Sequence, residues 1–542
     1  MASVGRVLEQ FRAIARNRNL RRLELAYAGS ITSEWAFTVA LAVFAYERGG
    51  AAAVGVLGVV RMVPAAIATP FTAALADRYE RERALAAVAL LSGLVLAASA
   101  GLFYAGRNEA AIFAFAAAHA VVSTLCRPAV AALLPSLATT PQQLVAANGV
   151  TLTIEGLGTL VGPLFAGVLL ATADPGVVFA VGAAAYAASA LAVAAIQVEG
   201  RLRYAHHRSD SDLVAGFRLL ARDAQPRLIV ALFVAQSFVR GALNVLVVVV
   251  AFRLLHVGGD WVGFLSGAVG AGTLVGGFAS VALAGRRLAA PFALGLVLWG
   301  VPIALVAATP HRAAALLLLA VVGVGNALED VAGETLLQRL VSDDFLGRVL
   351  GVMFGGATAA MGIGAILASA LIGVLGVRGA LVAIGAFLPA LVLLSWQALR
   401  RIDSTTAAPA RELALLDAVP MFASLSVAAK EHVAQSLVHV DAPAGTEIVR
   451  QGQAGDRFYI VADGHVQVTR DGGRVRDCGP GEYFGEIALL RDVPRTASVT
   501  ALDDAELYSL ERADFVDAAT GHAAGREAGE EVVRERLATF AR

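Results

Sequence analysis

From Leu20 to Arg401 the chain is built of long apolar runs parted by short polar breaks, and several runs reach the roughly 20 residues that carry a helix across a bilayer. Set against glycine, proline and charge, the runs predict helices near residues 22–46, 52–76, 84–106, 109–137, 142–172 and 176–197. A polar stretch from Val198 to Asp223 follows, and then helices near 226–255, 258–284, 288–309, 311–340, 345–376 and 378–400. The expectation is twelve transmembrane helices in two six-helix halves. Beyond Arg411 the pattern changes to period-two alternation punctuated by glycine, the signature of short strands in a small β-barrel. Two patterns imply two domains in two solvents: an all-α membrane domain and an α+β domain in water.

Composition agrees with lipid as one of those solvents. The 542 residues are 58% hydrophobic and only 16% charged, against about 25% charged in soluble chains. Lys plus Arg and Asp plus Glu number 43 each, so net charge is uninformative and placement matters instead. One set of loops carries Arg6, Arg12, Arg16, Arg18, Arg21 and Arg22, then Arg78, Arg81 and Arg83, then Arg201, Arg203, Arg208, Arg218 and Arg222, and later Arg286, Arg287, Arg348, Arg400 and Arg401. The opposite loops hold Arg48, Arg107, Arg312 and Arg378. The positive-inside rule therefore places both termini and the central loop in the cytoplasm of a cell inner or plasma membrane. Residues 1–19 lack the apolar core of a cleavable signal, so the first apolar run is expected to act as a retained anchor. Cys126 and Cys478 are too far apart in sequence for a disulfide framework or a zinc spacing.

The expected organisation is a basic N-terminus (1–21), a first half (22–197), an inter-half loop (198–225), a second half (226–401), a linker (402–411) and a C-terminal domain (412–542). No Walker A loop, metal cluster or nucleophile–base motif is present, which points away from an ATP-driven pump, an enzyme or a metal site, and nothing suggests nucleic acid.

Ionisable side chains at membrane depth are costly and hence functional candidates. Glu34 lies midway along the first apolar run, Arg61 in the second, Arg127 in the fourth and Glu155 in the fifth. Gln236, Arg240 and Asn244 recur every four residues, on one helical face. Asn326, Glu329, Asp330 and Glu334 follow in the tenth run. Glu34 is the leading candidate for proton coupling or cargo contact. The competing reading is a static ion pair with Arg61 or Arg127, and that reading is preferred for Glu155. His119, alone on an alanine-rich stretch, is read as structural.

Two six-helix halves joined by a loop resemble the major facilitator superfamily, and local motifs agree. Asp77-Arg78-Tyr79-Glu80-Arg81-Glu82-Arg83 resembles the family's gating-loop signature D-R-x-G-R-R, with Glu80 in the glycine place. Gly149, Gly158, Gly162-Pro163 and Ala166-Gly167 resemble the pattern G-x8-G-x3-G-P-x2-G-G that the family associates with antiporting exporters. Arg127-Pro128-Ala129, Ala146-Ala147-Asn148 and Leu346-Gly347-Arg348-Val349 resemble the branch of bacterial macrolide and siderophore exporters. The resemblance implies a secondary transporter of a small amphiphilic cargo, with protons among its partners.

The C-terminal segment carries Ala444-Gly445-Thr446-Glu447, Gly455-Asp456-Arg457-Phe458-Tyr459 and, above all, Phe484-Gly485-Glu486-Ile487-Ala488-Leu489 with Arg495-Thr496-Ala497 behind it. This resembles the phosphate-binding cassette of the cyclic-nucleotide-binding jelly roll. Glycine permits close approach, backbone N–H groups at a helix start face an anion, and Arg495 offers a planar fork to a phosphate. The resemblance gives Glu486 the ribose 2′-hydroxyl and Thr496 an added donor, with Val532, Val533 and Leu537 as a base lid. It implies cAMP as regulatory ligand, the Thr496 hydroxyl leaving cGMP open, and no cofactor. Rival readings are a receptor without transport, a lipid flippase and an exporter of the nucleotide itself.

Overall fold

The computed structural model describes residues 17–76, 81–106, 109–137, 141–196, 213–280, 287–341, 343–406, 410–422 and 436–520, with a few positions at 425–434 and 531–534. These residues form two compact units that divide after Thr406.

In the first unit, α1 (Arg18–Ala76), α2 (Arg81–Tyr104), α3 (Glu109–Ser123), α4 (Cys126–Leu137), α5 (Pro141–Leu170) and α6 (Pro175–Ala194) form one half. After α7 (Leu213–Arg222) come α8 (Ala224–Val249), α9 (Asp260–Ser280), α10 (Ala289–Val306), α11 (Arg312–Leu340) and α12 (Asp343–Thr406). Among the described residues, ten helical segments are long and apolar enough to cross a membrane, α3 and α4 together counting as one. Two of them are far longer than one crossing needs. α1 has 59 residues and α12 has 64, about 90 Å of helix each against a hydrocarbon core of about 30 Å. Both are broken at glycine: Gly50 has φ +61° and Gly376 has φ +70°, left-handed values that interrupt helical geometry.

Three differences from the sequence reading have physical causes. The apolar run at 109–137 is two helices, parted at Thr124-Leu125. The polar stretch before Asp223 contains α7, an amphipathic helix with Phe217 exposed, too short and too basic to register as an apolar run. The expected linker at 402–411 is helical at both ends, within α12 and α13 (Ala410–Asp417).

Small residues set the packing. A methyl group at Gly162 on α5 would lie 2.5 Å from Trp35 Cβ of α1, and one at Gly263 on α9 would lie 2.4 Å from Pro163 O. α5 thus touches the first helix with one glycine and the second half beside another, contacts that larger side chains would prevent.

The second unit is a roll of two four-stranded antiparallel sheets. Its strands are β1 (Val438–Ala442), β2 (Glu447–Val449), β3 (Arg457–Asp463), β4 (Val466–Arg470), β5 (Gly473–Cys478), β6 (Tyr483–Phe484), β7 (Ser498–Ala501) and β8 (Ala505–Glu511). The sheet orders are β1-β8-β3-β6 and β2-β7-β4-β5. A short helix α14 (Glu486–Arg491) separates β6 from β7, and α15 (Arg512–Thr520) follows β8. Phe422, Phe458 and Phe515 meet in one aromatic cluster, with Phe458 stacked on Phe515 at 4.6 Å, which fastens the flanking helical turns to β3.

Candidate functional site

The sheet β2-β7-β4-β5 and α14 enclose an open recess with about 430 Å³ of empty space. Val449, Val468 and Val499 supply an apolar wall, and Phe484, Gly485, Ile487, Ala488, Arg495, Thr496 and Ala497 supply the rest, with Arg476 at one side. The cassette residues singled out in the sequence therefore converge on one cavity. Glu486, buried, begins α14 directly behind Gly485.

Arg495 organises the recess. Its side chain is only 4% exposed, yet it pairs with Asp456 at 3.1 Å. Nη2 donates to Asp456 Oδ1 and to Arg457 O at 2.7 Å, and Nη1 donates to Gly485 O at 3.2 Å. A guanidinium has five N–H donors. Three are spent on fixing its plane, and the rest remain for an anion in the recess. Gly485 has φ +96°, and a methyl there would lie 2.7 Å from Arg495 Nη1 and 2.9 Å from Arg457 O. Only glycine combines that backbone conformation with that approach. Arg512 at the start of α15 hydrogen-bonds Asp492 just after α14, and its backbone N–H donates to Asp456 O at 2.9 Å. The C-terminal helix is thereby tied to both flanks of the Arg495 site.

The other candidates lie in the helical unit. Glu34 lines a narrow recess inside the first half, with Ser30, Ser92, Ser123 and Tyr186. Among the described residues no ion pair lies within 4 Å of it. Arg61 is buried and donates to Thr38 Oγ1 at 3.0 Å. Arg127 instead pairs with Glu155 at 3.2 Å, and Glu155 also accepts from Tyr27 at 2.6 Å. Arg127 is thus committed to Glu155, while Arg61 and Glu34 still act on each other electrostatically. Arg240 hydrogen-bonds Asn326, pairs with Asp330 at 3.8 Å and lies over the Trp299 ring. His119 is buried with Nε2 3.2 Å from the Tyr186 hydroxyl. Arg81 opens α2, whereas Asp77 and Arg78 lie outside the described residues.

Comparison with known proteins decides the family. Residues 23–290 match the family model of the Major Facilitator Superfamily, and residues 439–522 match that of the cyclic nucleotide-binding domain. The chain joins a major facilitator superfamily domain to a cyclic nucleotide-binding domain. Among curated relatives, a cAMP-dependent protein kinase regulatory subunit of Yarrowia lipolytica is 42% identical over 95 residues, 18% of this chain and 25% of that one. A cyclic nucleotide-gated potassium channel of Mesorhizobium japonicum is 39% identical over 105 residues, 19% of this chain and 29% of that one. The chain spans about a quarter of the length of these relatives. A solved structure, the regulatory domain of Toxoplasma gondii PKA with cAMP, is 28% identical over 24% of this chain and 52% of that one, with a TM-score of 0.23.

Within the cyclic nucleotide-binding domain, the sequence reading assigns no role to Arg476, Arg512 or the three wall valines, and places Asp456 in a motif without a role. Arg476 reaches the recess because it pairs in register with Val468 across the β4–β5 hairpin. Strand register was the missing signal. Val532 is half-buried against the phenylalanine cluster and does not line the recess, while Val533 and Leu537 lie outside the described residues.

Proposed function

We propose that this protein is a secondary active transporter whose cycle is biased by a cyclic nucleotide bound to its C-terminal domain. One observation carries the reading. A facilitator domain shares a chain with a recess in which a buried arginine is held in plane by three acceptors and keeps donors for an anion. A structural arginine would end with its donors satisfied. This one, though buried, lines the recess.

cAMP is the ligand we favour, since the relatives at 42% and 37% identity are cAMP-dependent kinase subunits. The Thr496 hydroxyl at the rim keeps cGMP as its competitor. The α1 and α12 helices are taken as two crossings each, giving twelve, with both termini cytoplasmic by arginine placement. Export by antiport of a small amphiphile rests on the α5 glycine pattern, and Glu34 is our candidate for the coupling acid. For Asp77, Arg78 and Arg81 we propose the gating role that their motif implies.

Two measurements on full-length protein in lipid nanodiscs and proteoliposomes test this. Calorimetry with cAMP should give saturable binding that Arg495→Ala weakens by roughly 2–5 kcal/mol, the cost of removing one partner of a buried charge-assisted pair. Flux of amphiphilic dyes, with cAMP on one side, should change with nucleotide in wild type and not in Arg495→Ala. Binding without any flux would leave a receptor.

A further inference from the structure

Helix α7 turns two unlike faces to its surroundings. Gly216 and Leu220 are buried and Leu219 is half-buried, whereas Phe217, Arg218, Ala221 and Arg222 are exposed, Phe217 by 60%. The buried face rests on the second half. A methyl at Gly216 would lie 2.8 Å from Arg348 O near the start of α12, and Leu220 shares an apolar cluster with Leu337, Val349 and Met353. The helix stops where Asp223 takes an extended backbone and caps α8, its Oδ1 accepting from Gln225 N at 3.0 Å. α7 therefore stands at the end of a segment long and apolar enough to cross the bilayer, on the side that arginine placement assigns to the cytoplasm.

The exposed face has two strips. Phe217 and Ala221, one turn apart, form an apolar edge, and Arg218 and Arg222, also one turn apart, form a basic one beside it. Arg227, exposed at the start of α8, donates through Nη1 to Ala221 O at 3.0 Å and so joins the last turn of α7. Among the described residues no carboxylate pairs with Arg218, Arg222 or Arg227. Asp223, the one acid between Leu213 and Arg227, is used on the α8 cap. Like charges at i and i+4 repel, and an aromatic ring in water forgoes the burial its surface offers. A phospholipid presents the complement of this face: an acyl chain for the ring, joined to a phosphate whose oxygens match a guanidinium fork.

We propose that α7 is a docking site for anionic phospholipid. Phe217 and Ala221 enter the boundary between headgroups and acyl chains, and Arg218 and Arg222 hold the headgroup phosphate with Arg227 beside them. Through Gly216 the bound lipid steadies α7 against the start of α12. The site needs neither cargo nor nucleotide, so it stands or falls apart from the transporter reading.

The test reads lipid contact directly. Full-length protein lacking Cys126 and Cys478 and carrying Ala221→Cys is labelled with bimane and placed in nanodiscs of phosphatidylcholine mixed with phosphatidylglycerol. Bromine on the acyl chains of one lipid or the other quenches a label that the lipid touches. Brominated phosphatidylglycerol should quench more than brominated phosphatidylcholine at equal mole fraction, and added salt should erase the preference. Arg218→Gln and Arg222→Gln should each cut the preference about 5-fold, the effect of one arginine at an anionic surface. Phe217→Ala should lower quenching by both lipids. All three positions are exposed, so melting temperatures in pure phosphatidylcholine discs should match that of the labelled parent. Equal quenching by the two lipids in that parent, or a preference that survives both arginine substitutions, would overturn the proposal. Quenching by neither lipid would overturn it too, since the face would then be covered by protein or open to water.

Discussion

Tyr46 of the first half and Phe252 of the second stack face to face, with ring centroids 4.6 Å apart and planes 20° apart. Arg253 Nε donates to the same tyrosine hydroxyl at 3.1 Å. Phe252 and Arg253 lie in a five-residue π-helical turn, Val250–Leu254, an irregularity that recurs at functional positions. Ser369 Oγ donates to Ala51 O at 2.7 Å nearby in sequence to this seam. The two halves are thus fastened at the helix ends remote from Arg18. An aromatic pair contributes about 0.5–1.5 kcal/mol beyond its buried area. Tyr46→Ala should therefore raise the population open at this end roughly 2- to 10-fold. Thiol labelling of a cysteine placed at Ala51, with Cys126 and Cys478 replaced, measures it. An unchanged labelling rate would deny the seam a gating role.

The cassette makes a sharper demand. Because Arg495 spends three donors on Gly485 O, Arg457 O and Asp456, a lysine cannot replace it. Its single ammonium cannot both hold that plane and meet a phosphate. Arg495→Lys should lose nearly as much nucleotide affinity as Arg495→Ala. Gly485→Ala should lose affinity by a different route, the left-handed backbone and the 2.7 Å approach to Nη1. Competition between cAMP and cGMP on these variants and wild type reads both effects, and near-wild-type affinity in Arg495→Lys would contradict the donor count.

What could be read from sequence follows the range of the interactions involved. Bilayer-length apolar runs announce helices because each run satisfies its own backbone and faces lipid. α7 escapes that logic, since a ten-residue helix covering one apolar stripe leaves no run to see. Gly485 and Arg495 are legible because a tight turn and a fork-shaped donor are properties of single residues at fixed spacing. Asp456, Arg476 and Arg512 are not. Asp456 matters only because β3 sets it beside an arginine 39 positions on, and Arg476 only because the β4–β5 register turns it into the recess. In the membrane, the apolar pattern could place Glu34, Glu155 and Glu329, but only packing separates a carboxylate paired with Arg127 from one with no partner at all.

A second consequence concerns acid. Arg411 on α13 grips Glu506 on β8 with two hydrogen bonds, at 2.7 and 2.6 Å, and His439 Nε2 lies 2.7 Å from the same carboxylate. The Arg411 hydrogen bonds, aided by His439, hold the Glu506 carboxyl below its ordinary range. A depressed carboxylate stabilises the fold above its unfolded value of about 4.3 and loses that contribution as pH falls through the lower folded value. Hydrogen exchange of Val438–Ala442, which pairs with β8, should be slower in wild type than in Glu506→Gln at neutral pH and converge with it in acid. A difference that persists in acid would assign the effect to something other than this carboxylate.

Glu34 is expected to act chemically, not as packing. It lines the first-half recess beside Ser123, Arg127 is paired with Glu155, and Arg61 is the cation that acts on it. Glu34→Gln preserves size while removing the exchangeable charge. Dye flux should fall by an order of magnitude or more, or lose its pH dependence, with cAMP binding unchanged. Wild-type flux with wild-type pH dependence would return Glu34 to the role of filler.

The deepest consequence is reciprocity between the domains. Helix α12 runs to Thr406 and α13 begins at Ala410, so few residues separate the two units. A nucleotide can bias transport only by binding one conformation of the facilitator domain better than another, and the factor must be equal in both directions. Under the proposed regulation, locking the gate is felt at Arg495. Cysteines at positions 46 and 252, in a background lacking Cys126 and Cys478, can be bridged by a bifunctional reagent to hold the Tyr46–Phe252 end closed. Tyr46→Ala biases the same end open. Titrating cAMP against both preparations should give dissociation constants that differ about 5- to 150-fold, the range of a coupling free energy of 1–3 kcal/mol. Arg495→Ala should abolish the nucleotide response of flux without changing basal flux, because it removes the ligand and leaves the gate intact. Equal affinities in the locked and loosened states, together with flux indifferent to cAMP, would make the C-terminal domain a passenger.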